Sequence, residues 1–304
     1  MTRLRGVEPA QIIKRFKAFW YGETGTHKTK VSIQFPRPYM IDTEQGATND
    51  QYAQAIRTSE GHHWFTTDLD EIIEEVVALM TERHSFKTLI IDPITVPYNE
   101  AVDKAAREIA ARAKDPRIDG TEYGRHRAVA DRKMKRLFNL LTNLDMNVIL
   151  TSHAKTKWLR QGDQITEAGT TFDAYSKLEY LFDLVLETQK RGQERWARVM
   201  KSRIEAFPEG DTFQFSYPEI ARRYGLQVME KPSEPVVPAN DAQIFRLQHL
   251  TEVLKIDEGQ IARWLTKAGA EEYEDLSTAQ AAQLIAWLEA KVTTPEAPVA
   301  LPAK

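Results

Sequence analysis

The 304-residue sequence contains no cysteine. That excludes a disulfide framework, a thiolate metal site and a cysteine nucleophile. No apolar run approaches the roughly 18 residues that a membrane-spanning helix needs, so no membrane span is expected. The opening residues, MTRLRGVEPAQ, lack the apolar stretch of a secretory signal. A cytoplasmic protein is the expectation. Charge of one sign is also missing, since the net charge is only −3. What is present is enough apolar material for a sizeable core, 42% of residues. One segment departs from the neutral average. Between Lys104 and Arg136 there are eleven Lys/Arg against five Asp/Glu. Such a segment can contact phosphates, or can be no more than a solvated helix face.

The order of elements predicts the fold class. Short apolar runs at 17–22, 38–42, 87–92, 147–152 and 182–188 read as strands, separated by longer helical patterns such as 69–82. That alternation predicts an α/β fold with a mostly parallel sheet flanked by helices. RWARVMKSR (195–203), after the turn QKRGQ, predicts an antiparallel partner at the sheet's end. Residues 1–14 form an N-terminal segment and 15–228 the core. Residues 229–240 are rich in proline and read as a linker. Three helical patterns in 241–292 predict a small C-terminal helical domain. Asp257 with Gln260, and Ser277 with Gln280, resemble capping boxes. The Pro/Ala-rich tail, 293–304, is expected to be disordered. There are no internal repeats.

A glycine is missing where one is expected. YGETGTHKTK (21–30) nearly matches the phosphate-binding pattern G-x-x-x-x-G-K-[ST]. Gly22, Glu23, Thr24, Gly25, Thr26, His27, Lys28, Thr29 and Lys30 make up the candidate nucleotide-binding loop. His27 stands at the second glycine position. Glycine there supplies a left-handed backbone and close approach to the ligand, and histidine is among the residues enriched at positive φ. In such a loop Lys28 reaches the β- and γ-phosphates of ATP and Thr29 holds Mg²⁺. LIIDP places Asp92 at the end of a buried strand, where it is a second candidate Mg²⁺ ligand. Its separation from Lys28 suits a neighbouring strand of one sheet. Past another strand tip, in MIDTEQG, Glu44 is a candidate base for an attacking water, with Asp42 assisting. On spacing alone, two exposed acidic loop residues would look the same.

Taken in chain order, these segments resemble the RecA-type recombinase ATPases. IDTEQGATNDQYA resembles their catalytic-glutamate segment, which falls on Glu44, and LIIDPIT resembles the Walker B strand. VILTSH resembles the strand ending in a polar γ-phosphate sensor, with His153 where that family has glutamine. GQERWARVMKSRIEAFPEG resembles the stretch whose basic residues, here Lys201 and Arg203, reach a neighbouring subunit's ATP. The closer likeness is to small RecA-like ATPases of bacteriophages tied to single-strand annealing and recombination, over roughly residues 15–220. The C-terminal helices are similar to small modules appended to phage recombination proteins.

The resemblance implies a RecA-like P-loop core using ATP and Mg²⁺. It also implies that 113–127 and 154–172 take the places of two DNA-binding loops. Arg117, Arg125, Arg127, Lys155, Lys157 and Arg160 are then candidate contacts to single-stranded DNA, with Tyr123 and Trp158 able to stack on bases. Trp158 reads equally well as a core or interface residue. The implied protein hydrolyses ATP as a head-to-tail ring or filament, with Lys201 and Arg203 acting in trans. The C-terminal helices are the candidate contact to a replication or recombination partner. The alternatives are a nucleotide-binding scaffold with little hydrolysis, a helicase or packaging accessory, and a small-molecule phosphotransferase.

Overall fold

The computed structural model describes residues 15–46, 50–113, 117–161 and 164–293. Nine strands form one sheet: β1 (Lys17–Gly22), β2 (Pro38–Asp42), β3 (His62–Phe65), β4 (Thr88–Asp92), β5 (Asn147–Gln161), β6 (Gln164–Phe172), β7 (Leu184–Arg191), β8 (Glu194–Ser202) and β9 (Thr212–Gln214). Their order is β3-β2-β4-β5-β1-β7-β8-β9, with β6 paired to β5. Strands β3 through β7 along this path run parallel. The β7–β8, β8–β9 and β5–β6 pairs are antiparallel. This is the α/β, mostly parallel sheet that the pattern of elements predicts.

The central strands read as continuous apolar runs because both faces are covered. Successive side chains of a strand point to opposite faces. Phe19 and Tyr21 of β1, with Leu89 and Ile91 of β4, enter one core. Ala18, Trp20 and Ile90 enter the other. Helices α1 (Lys28–Ser32) and α2 (Asp50–Thr58) follow β1 and β2. Helices α3 (Leu69–Thr81), α4 (Thr95–Arg112) and α5 (Arg125–Asn143) pack Ile72, Tyr98 and Phe138 onto the first core. After the short α6 (Leu178–Leu181), helices α7 (Tyr217–Tyr224) and α8 (Leu226–Met229) close the second core with Ile220 and Met229.

Two expectations are corrected. The strand carrying Asp92 is not next to the phosphate-loop strand, because β5 lies between them and pairs with both. Spacing along the chain cannot reveal an inserted strand. The segment 154–172 is not a loop. It continues β5 for eight residues past its pairing with β1 and returns as β6, with residues paired from Ala154↔Phe172 to Gln161↔Gln164.

Helices α9 (Asp241–Val253), α10 (Glu258–Ala268) and α11 (Thr278–Thr293) enclose a core of their own around Leu247, Trp264, Leu265 and Leu288. Asp257 caps α10 through Gln260 N. Ser277 and Gln280 bond reciprocally at the start of α11. The segment before these helices is tied down: Val236 N donates to Met80 O at 2.7 Å and Ala239 N to Leu276 O at 2.8 Å. The expected N-terminal segment 1–14 and the expected tail 293–304 lie outside the described residues, except for Thr293, which ends α11.

Candidate nucleotide site

The phosphate loop leaves β1 at Gly22. A Cβ there would lie 2.2 Å from Thr188 Oγ1 and 2.4 Å from Thr188 O, so β7 leaves room only for glycine. Thr26 Oγ1 donates to Glu23 O at 2.8 Å. Lys28 Nζ donates to Gly22 O at 2.7 Å and to Glu23 O at 3.1 Å, across the mouth of the loop. His27 adopts φ 69° and ψ 23°, the left-handed region. The histidine therefore takes up the conformation that the missing glycine would supply. Its carbonyl accepts the first helical bond of α1, from Val31 N at 2.9 Å.

A cleft of about 320 Å³ opens beside this loop. Thr24, Gly25, His27, Lys28 and Thr29 line one side. Asp42, Glu44, Asp92 and His153 line the other, with Tyr52 of α2 at its margin. Gly22 and Thr26 are buried under the loop, and Glu23 and Lys30 are exposed. Asp42, Glu44 and Asp92 come from the ends of β2 and β4, and His153 from the last position at which β5 pairs with β1. Their meeting at the carboxyl edge of the sheet is where open α/β sheets place their ligands.

Asp92 is buried, at 6% exposure. Thr29 Oγ1 donates to its Oδ2 at 2.5 Å, and Thr151 Oγ1, from the inserted strand β5, donates to its Oδ1. Burial pushes its pKa up, against the pull of these two hydroxyls and of the Lys28 ammonium. Burial pushes the Lys28 pKa down, while Asp92 and Glu44 oppose that fall. Asp42 Oδ1 accepts from Glu44 N at 3.0 Å and Gly46 N at 3.2 Å, which shapes the turn carrying Glu44. Glu44 Oε1 lies 3.0 Å from His153 Nε2. The backbone of His153 is fixed in turn by Thr95, whose Oγ1 accepts from His153 N at 3.1 Å.

The donor set fits a hard divalent cation. Thr29 and Asp92 offer oxygens side by side, and the Asp92 carboxylate is short of positive charge. One carboxylate beside one hydroxyl is a donor set of the kind Mg²⁺ takes, its shell being completed by water and substrate phosphates.

Several participants carry no sequence signal. Thr151, Thr95, Thr188 and Tyr52 are ordinary residues in strands or helices until the fold brings them together. Lys190 of β7 and Arg195 of β8, paired beside the turn at Gly192 and Gln193, lie against the phosphate loop, Arg195 through a bond to Gly25 O.

Lys201 and Arg203 do not join the cleft of their own chain. Lys201 pairs with Val185, which is level with Phe19, toward the other end of β1 from Gly22. Lys201 Nζ donates to Glu179 O at 2.5 Å and Phe182 O at 3.0 Å. Its pKa is lowered by burial, then by Arg203. Arg203 lies 3.5 Å from Asp183 Oδ1.

The DNA candidates fall into two exposed groups. Arg117, Arg125 and Arg127 are exposed around the turn before α5, with Tyr123 at 96% exposure. Lys155 and Lys157 lie on the β5–β6 hairpin beside Trp158, which is 61% exposed. That exposure rules out a core role for Trp158 within the chain. Lys155 pairs with Asp173 at 2.9 Å. The side chain of Arg160 lies outside the described residues.

A parallel sheet, a loop of this shape and an Asp92 bonded to Thr29 define a P-loop nucleotide-binding domain. Residues 14–211 match the family described as an AAA domain, and the chain belongs to that family. Among solved structures, the crystal structure of the RadB recombinase aligns at 17% identity and a TM-score of 0.42, covering 67% of this chain and 88% of that one. No curated protein matches the chain. No described helix is long and apolar enough to cross a membrane.

Proposed function

We propose that the chain is an ATPase acting on single-stranded DNA, of the recombination and annealing type of the phage proteins it resembles. One observation carries this reading. At His153, β5 both contacts Glu44 in the cleft and becomes the projecting hairpin with Lys155, Lys157 and Trp158. Eight residues of strand reach about 26 Å at some 3.3 Å each. A change of contact at the γ-phosphate end of the cleft is thereby conveyed to a cationic and aromatic arm suited to unpaired bases.

In this reading Lys28 binds the β- and γ-phosphates of ATP, and Thr29 with Asp92 would hold Mg²⁺, which supplies charge neutralisation at the phosphates. Glu44 orients and deprotonates the attacking water, and His153 steadies Glu44 and registers the γ-phosphate. Lys201 and Arg203 lie outside their own cleft, which leaves them a role in trans in a head-to-tail assembly. The C-terminal helices are the proposed contact to a replication or recombination protein. The test is ATP turnover with and without a single-stranded oligonucleotide. Stimulation by the oligonucleotide is expected, and turnover indifferent to it would break the proposed coupling.

A further inference from the structure

The β7–β8 hairpin sits against the phosphate loop at two levels. At its base, Thr188 Oγ1 lies 2.8 Å from Thr26 Oγ1 and 3.0 Å from Tyr21 O. Nearer the turn, Arg195 Nε donates to Gly25 O at 2.8 Å. The same guanidinium gathers the turn around itself, with Nη1 at 3.3, 3.1 and 3.0 Å from the carbonyls of Gly192, Gln193 and Glu194. Gly25 has φ 75°, and a Cβ on it would lie 3.0 Å from Lys190 Nζ.

These contacts bear on how such a loop binds anions. A phosphate loop works through the direction of its backbone N–H groups. A trans peptide is planar, so its C=O and the following N–H point to opposite sides. A Gly25 carbonyl held on Arg195 therefore turns the Thr26 N–H away from the hairpin. We propose that Arg195 is a positioning residue of the phosphate loop, fixing the Gly25–Thr26 peptide for a nucleoside di- or triphosphate, and that Lys190 adds positive field beside it. The proposal rests on the nucleotide-binding reading above. His27 already feels this field: burial lowers its pKa first, then Arg195, Lys30 and Lys190. The two cations lie in the same chain as the loop and are separate from Lys201 and Arg203.

The test is titration of fluorescent mant-ADP with Mg²⁺ into the full chain, for the parent, Lys28→Ala, Arg195→Ala and Arg195→Lys. Loss of a charge-assisted bond predicts affinity weakened on the order of tenfold in Arg195→Ala. Arg195→Lys keeps the cation but not the planar fork, and recovers part of the loss. Melting within a few degrees of the parent shows that Arg195→Ala is folded. If it is not, Arg195→Lys is read alone, and a several-fold weakening is expected. Parent-like affinity in the folded Arg195 variants, with Lys28→Ala unable to bind, would overturn the inference and leave the nucleotide site standing. A parent that binds no mant-ADP overturns both.

Discussion

The burial of Asp92 sets stability against function. The side chain is 6% exposed and accepts from two hydroxyls, and burial raises its pKa. Asp92→Asn removes the charge and keeps the shape. The amide oxygen still accepts from one threonine, and the other hydroxyl can rotate to accept from the amide NH₂. An ionised carboxylate this deep is a liability that hydroxyls and Lys28 offset only in part. We set the net gain for the nucleotide-free protein at about 1 kcal/mol, which raises Tm by about 2–4 °C for a chain of this size. The sign with pH follows from the raised pKa. The folded state holds the Asp92 proton more tightly than the unfolded state. Its contribution to stability is greatest at acid pH and is lost as pH rises from the ordinary carboxylate range near 4 through the folded value. The advantage of Asp92→Asn is therefore larger at pH 8 than at pH 4, where it fades. The assay is thermal melting by circular dichroism in EDTA at both pH values, then at pH 8 with Mg²⁺-ADP. Ligand at a hundred times its Kd stabilises the parent by about 2.7 kcal/mol, and the variant loses most of that protection. An Asp92→Asn protein less stable than the parent in EDTA at pH 8 would refute the reasoning.

Four further outcomes are expected. His27→Gly relieves a left-handed backbone worth about 1 kcal/mol but loosens the unfolded chain by a similar amount, so Tm moves by less than about 2 °C. Since the lowered pKa of His27 leaves it neutral at pH 7.5, mant-ADP affinity should move less than about threefold; a tenfold loss would make the imidazole a direct ligand. Glu44→Gln should lower ATP turnover by on the order of a hundredfold while leaving nucleotide affinity nearly unchanged; parent-like turnover removes Glu44 as the base. Trp158→Ala should weaken binding of a labelled single strand about tenfold in fluorescence anisotropy, and no change would take the hairpin out of the DNA surface. An equal mixture of Lys28→Ala with Lys201→Ala should regain turnover at about a quarter of its interfaces, where an intact loop meets intact cations. No regain in the mixture counts against action in trans.

The parallel core was legible because strands buried on both faces leave unbroken apolar runs, as in LIID and VIL. The loop was legible from Gly22, Lys28 and Thr29 despite His27, whose left-handed backbone explains the departure. The insertion of β5 between β1 and β4 was not legible, because neighbours in a sheet are not set by order in the chain. Thr151 was missed for that reason, being buried and ordinary until β5 brings its hydroxyl to Asp92. The β5–β6 hairpin was hidden by its polar, exposed sequence, which carries no buried face to impose a clear alternation. Lys190 and Arg195 were hidden differently: beside a hairpin turn they read as solvated charges, and only the pairing of β7 with β1 and β8 brings them to Gly25.

The proposed function stands or falls on ATP turnover by Lys28 and its loop. Phosphate release from ATP by the purified full chain, compared with Lys28→Ala in the same buffer with Mg²⁺ and a single-stranded oligonucleotide, tests it most directly. The account predicts measurable release by the parent and a loss on the order of a hundredfold or more in the variant, as expected where a cation on the transferring phosphoryl group is removed. Release by Lys28→Ala at the parent rate would contradict it.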